Sequence, residues 1–203
     1  PLSENRRDID IMYANERPCT NFDQVIEEAK AMNATGTGIT GGDPLMARER
    51  SLEAIKKLKS EFGKSHHIHM YTSIPFNPEY ANSFAEAGLD EIRFHLLKLE
   101  LDKYVPTIKA CSDAGIFTGI ELPAEPDKET RLYALIEELR DVPISFLNLN
   151  ELEITVGNYD NMELRGFNIS NEITAGAEGS AELATILKNR VSNANAGIPD
   201  LIS

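Results

Sequence analysis

The chain of 203 residues carries 20 basic and 33 acidic side chains, a net charge of −13. That sign repels a nucleic-acid backbone or an anionic membrane, so neither is an expected partner. With 41% hydrophobic and 26% charged residues it reads as an ordinary globular chain that can bury a core. No apolar run nears the ~18 residues of a membrane span, and the polar start Pro1–Asp10 does not read as a signal peptide. Cys19 and Cys111 lie far apart and make no disulfide framework, which places the expected location in a reducing cytoplasm.

In chain order, Asn21 is placed to cap a helix from about Phe22 to Met32, with Val25, Ile26, Ala29 and Met32 on one face. A short strand, Gly36–Thr40, runs into Gly41-Gly42-Asp43-Pro44, and a helix from about Ala47 to Phe62 stops at Gly63. His67–Thr72 reads as the second strand. A helix opened by Asn77-Pro78 closes at Gly88, and Glu91–Leu96 is the third strand. The helix Leu101–Ala114 turns Val105, Ile108 and Cys111 inward, and Ile116–Leu122 is the fourth strand. Pro123, Pro126 and Asp127 are expected in a loop before the helix Lys128–Leu139, and the fifth strand is expected over Ile144–Leu149 or slightly beyond. Beyond Glu153 only one helix, Ala181–Val191, is expected, with a frayed end from Asn193.

Alternating strands and helices mean βα units and a parallel sheet, with no linker between large domains. Parallel strands covered on both sides should be continuously apolar, and these are not. Ile68 and Met70 oppose His67, His69 and Tyr71; Ile92, Phe94 and Leu96 oppose Arg93 and His95. Ile120 and Leu122 oppose Gly119 and Glu121; Leu147 and Leu149 oppose Asn148 and Asn150. One face suits packing on helices. The other suits a ligand-holding lumen, or a polar core in which Arg93 and Glu121 pair. The expected fold is therefore α/β, an open TIM-like βα barrel of about five parallel strands over residues 1–155. An extension over 156–203 packs one helix on it.

Gly36-Thr37-Gly38-Ile39-Thr40-Gly41 matches the spacing of a dinucleotide-binding turn, but it follows a helix and lacks the later acid. The segment Gly41-Gly42-Asp43-Pro44 stands where barrel ligands bind, with Asp43 either facing a cation or capping the next helix. His66, His67, His69 and His95 invite a metal reading against that of ligand contact or polar core.

On these residues the sequence resembles the radical S-adenosylmethionine superfamily, most closely the branch related to pyruvate formate-lyase-activating enzymes. Gly41-Gly42-Asp43-Pro44 resembles that family's Gly-Gly-Glu-Pro segment, Gly115–Glu121 its G-x-I-x-G stretch, and Asn148–Glu153 its sixth strand. The resemblance implies S-adenosylmethionine as cofactor, with Gly41, Gly42, Asp43 and Pro44 at its methionine moiety and Arg93, Glu121, Asn148 and Asn150 as further contacts. It also implies a 4Fe–4S cluster and hydrogen abstraction by a 5′-deoxyadenosyl radical. The protein substrate would be a glycyl-radical enzyme, although another protein or a small molecule stays open. The family's CxxxCxxC is absent, so cluster ligands are expected upstream of Pro1, and the chain alone is expected to be inactive. The Gly36–Thr40 strand would leave an edge open to a second copy. Two other readings stay open: a barrel lyase or isomerase using His69, His95 and Glu121, and a catalytically silent interaction module.

Overall fold

A computed structural model describes residues 10–171 and 175–193. Most of the polar start and the end expected to fray lie outside them.

The centre is a five-stranded, all-parallel sheet. An N-terminal hairpin comes first, β1 (Met12–Ala14) antiparallel to β2 (Arg17–Cys19). Helix α1 (Phe22–Ala31) follows, and the Asn21 side chain accepts from the Gln24 amide as expected. The sheet strands are β3 (Gly36–Ile39), β4 (His67–Thr72), β5 (Glu91–Phe94), β6 (Phe117–Ala124) and β7 (Phe146–Glu151), paired in that order. Between them run α2 (Arg48–Phe62), α3 (Tyr80–Ala87), α4 (Val105–Asp113) and α5 (Glu129–Glu138).

The period-two alternation is realised. Ile68, Met70, Ile92, Phe94 and Ile120 are 0% exposed and join Leu122, Leu147 and Leu149 in one core with Leu52, Ile55, Phe84 and Ile108 of the helices. The α/β class follows from this parallel, helix-flanked sheet. β3 and β7 are its two edges, and no residue of α1 is buried.

Pro123 corrects the sequence reading. It lies inside β6, opposite Asn150 of β7, and not in a loop. β5 ends at Phe94, opposite Ile120, so from there β6 has a strand on one side only, a position that tolerates a residue without an N–H.

The chain after β7 is richer than its glycines and asparagines suggest. It forms α6 (Tyr159–Leu164), a short antiparallel pair β8 (Ile169–Asn171) and β9 (Gly176–Ala177), and α7 (Ser180–Asn193). Leu183 and Leu187 of α7 enter the main core. Ser180 Oγ donates to Ala124 O at 2.7 Å and accepts from Leu152 N at 2.8 Å, tying the start of α7 to the ends of β6 and β7. Arg165, after α6, grips Glu125 and Asp127 beyond β6 at 2.5 and 2.6 Å. That grip is the leading reason the Asp127 carboxyl titrates below its usual range.

Candidate functional site

The glycine turn follows β3 at its C-terminal end. Gly41 has φ +113°, which L side chains rarely adopt, and a Cβ at Gly41 or Gly42 would meet nothing within 4 Å. The turn is thus open to an approaching molecule. Pro44 starts a 3-10 turn over Pro44–Ala47 that leads into α2, and its carbonyl accepts from Ser51 Oγ at 2.9 Å.

Asp43 does the capping, its Oδ1 accepting from Leu45 N at 3.0 Å. It also reaches across to the end of β4. Oδ1 accepts from Thr72 Oγ1 at 2.9 Å, and Oδ2 from Ser73 N at 2.7 Å and Ser73 Oγ at 3.1 Å. The carboxylate is filled by the protein's own donors, and the backbone of Gly41 and Gly42 is what remains open.

On the sheet's polar face one cation sits among carboxylates. Arg93 Nε donates to Glu91 Oε1 at 2.5 Å, and Arg93 Nη1 donates to Tyr71 Oη and Glu121 Oε2, both at 2.8 Å. Its guanidinium lies 5.2 Å from the Tyr71 ring centroid and 5.6 Å from that of Phe146. Burial works against its charge, but the hydrogen bonds to Glu91 and Glu121 outweigh that and raise its pKa. Glu121 takes two further donors, Asn148 Nδ2 on Oε2 and Asn150 Nδ2 on Oε1, each at 3.0 Å. The floor is aromatic: Phe146 stacks on Phe117 at 5.4 Å and occupies the space a Cβ on Gly119 would need. Gly119 therefore admits the ring that supports Arg93.

Above this network lies a cavity of about 550 Å³, lined by Tyr71, His95, Glu121, Pro123, Asn150, Glu151 and Glu153 together with Leu122 and Leu149. Its volume is in the range of small-molecule sites, and it opens at the C-terminal ends of the strands, where parallel α/β sheets bind ligands. Three acids and one exposed histidine give it a polarity suited to a cationic ligand. Burial, seconded by the Glu121 charge, pushes the Tyr71 phenol above its ordinary pKa and keeps it protonated. The His69 imidazole is held below its ordinary pKa, first by burial and then by Arg93, so it is neutral at pH 7.

Two of the four histidines are neighbours, the His67 and His69 ring centroids lying 5.9 Å apart, and each of the four makes its own further contacts. His66 bonds Thr37 Oγ1 at 2.8 Å and stacks on Phe62, His67 stands 3.3 Å from Glu91, His69 meets the Tyr71 ring edge-on, and His95 is exposed at the cleft. Among the described residues no group of three or more His, Cys, Asp or Glu is placed to hold a metal ion. Glu121 accepts from Arg93, Asn148 and Asn150, and no hydrogen bond joins it to His69 or His95 among the described residues, although His95 and Glu121 line the same cleft.

A 4Fe–4S cluster needs thiolates. Cys19 in β2 and Cys111 in α4 are 2% and 0% exposed, and burial pushes the Cys111 thiol up to about 12. The described residues do not fit a cluster. Iodoacetamide is expected to leave the native chain unlabelled and to add to both cysteines after unfolding in guanidinium, read by intact mass. Rapid native labelling of Cys111 would refute its burial.

The structure thus brings Arg93, Glu121, Asn148 and Asn150 into one hydrogen-bonded group and sets the Gly41–Pro44 turn at the C-terminal end of β3, with Asp43 turned to β4. Sequence reasoning left Tyr71 and Glu91 out of the site. Period two points to Tyr71. Glu91 reads as the mere start of a strand, although it shares Arg93's parity.

Fold and site together define an α/β protein with a small-molecule cleft over the C-terminal ends of a parallel sheet. No protein-family model matches the chain. It is 37% identical over 193 residues, 91% of its length, to a protein of Methanocaldococcus jannaschii that carries the name of a glycyl-radical enzyme activating enzyme. The chain spans about half of that relative, 51%. No helix among the described residues is long and apolar enough to cross a membrane.

Proposed function

We propose that the chain is the S-adenosylmethionine-binding part of a radical-type activating enzyme whose substrate is a glycyl-radical protein. The observation that carries this reading is the similarity of 91% of the chain to a relative named for that work. The cleft supports it physically. Its acid-rich wall suits a sulfonium cation. The Gly41–Gly42 turn, outside the cleft lining, leaves room for a molecule to approach its backbone. Hydrogen-atom abstraction is the chemistry that this cofactor, bound beside a cluster, supplies in the family the chain resembles. In this reading the chain's own residues bind and orient: Glu121 fixes Asn148 and Asn150, Arg93 fixes Glu121, and the Phe146 ring lies against the Arg93 guanidinium. A second chain would meet the sheet at the open β3 edge.

Calorimetric titration of the chain with S-adenosylmethionine tests this. Saturable binding to one site is expected, weakened in Asn150→Ala. The absence of heat at protein concentrations far above those of ordinary cofactor affinity would overturn the reading.

A further inference from the structure

We propose that Glu121 is a positioning residue that sets the amide of Asn150 so that the cleft accepts a hydrogen-bond donor from its ligand. The inference rests on the cofactor reading above and deepens it.

A carboxylate only accepts hydrogen bonds, and an asparagine amide has one accepting and one donating end. Asn150 must therefore turn Nδ2 to Glu121 Oε1, where it lies at 3.0 Å. Its Oδ1 is then directed away from Glu121, has no partner among the described residues, and belongs to a side chain that lines the cleft. The amide orientation, ordinarily ambiguous, is fixed here by the chemistry of its neighbour. The wall presents an acceptor, and it pairs with a ligand N–H such as the exocyclic amine of an aminopurine or an ammonium group.

Glu121→Gln reverses the display through a forced sequence of steps. Arg93 can only donate, so the new amide oxygen must take the place of Oε2, where Arg93 Nη1 and Asn148 Nδ2 already point. The new Nε2 then occupies the place of Oε1 and faces Asn150 Nδ2, donor against donor. Asn150 flips, gives Oδ1 to the glutamine, and presents Nδ2 to the cleft. The wall becomes a donor.

The test titrates the full chain with two pairs of probes. In the first, 5′-methylthioadenosine and 5′-methylthioinosine differ by a donor or an acceptor at purine position 6. In the second, S-adenosylhomocysteine and S-inosylhomocysteine add the amino-acid ammonium. The wild type is expected to prefer the amino purine by about tenfold, the effect of one hydrogen bond against a mismatched pair. Glu121→Gln is expected to lose or invert that preference while still binding. Asn150→Ala, at an exposed side chain, is expected to abolish it and serves if Glu121→Gln fails to fold. If instead the wild type shows no purine preference, and both variants weaken the two homocysteine probes equally while leaving the methylthio pair unchanged, the acceptor is assigned to the ammonium and the proposal is retained. A purine preference and affinities for all four probes that are unchanged in both variants overturn the amide assignment and leave the cofactor reading standing. A wild type that binds none of the four probes overturns both.

Discussion

Arg93→Met is expected to lower the free energy of unfolding by about 3–5 kcal/mol, because removing one partner strands charges the fold has taken out of water. Glu91 is only 7% exposed, and Glu121 shares the same cation. Methionine matches the volume and can lie on the Phe146 and Tyr71 rings, so lost packing is a minor part of the effect. Arg93→Lys should recover only part of it: an ammonium is a point charge, while the guanidinium reaches Glu91 through Nε and Tyr71 and Glu121 through Nη1. The combination of Arg93→Met with Glu91→Gln and Glu121→Gln should regain most of the loss, since no uncompensated charge is left. Urea denaturation measures all of these. A loss below about 1 kcal/mol for Arg93→Met would place the group in screened, water-like surroundings and remove the polar face as a preorganised wall.

The sheet was legible in the sequence because period two is a local signal. His67, His69 and Tyr71 against Ile68 and Met70 already separate the faces, and β4 spans the residues expected for it, His67–Thr72. The pairing of Arg93 with Glu121 follows once parallel neighbours are assumed, since both fall on one face of adjacent strands. What stayed hidden is what depends on where neighbouring elements end. Pro123 reads as a strand breaker until β5 is seen to stop at Phe94. The grip of Arg165 on Glu125 and Asp127 joins residues about forty apart through salt bridges that leave no periodic trace. The hairpins β1–β2 and β8–β9 consist of strands of two or three residues, too short to show any alternation.

Asp43 is the sharpest case of a residue whose type was legible and whose partners were not, since Thr72 and Ser73 lie 29 and 30 positions away. Its replacement by alanine is expected to cost about 2–4 kcal/mol, the loss of a cap plus the stranding of part-buried donors on Ser73 and Thr72. Asparagine should rescue little. Its Oδ1 can keep Leu45 N and Thr72 Oγ1, but its Nδ2 would then face the Ser73 amide, donor against donor. The consequence for binding follows from connectivity: the carboxylate joins the start of the Pro44–Ala47 turn to the end of β4, so its loss frees Gly41 and Gly42 to sample conformations closed to a ligand. Hydrogen exchange distinguishes this local release from general weakening. The Leu45 and Ser73 amides should exchange faster in Asp43→Ala and in Asp43→Asn, while those of β5 and β6 keep their protection relative to one another. Affinity for S-adenosylmethionine should fall in both variants by a similar factor. A variant that retains wild-type protection at Ser73 would show that the carboxylate does not hold the turn. Asp43 would then be free to face the ligand itself.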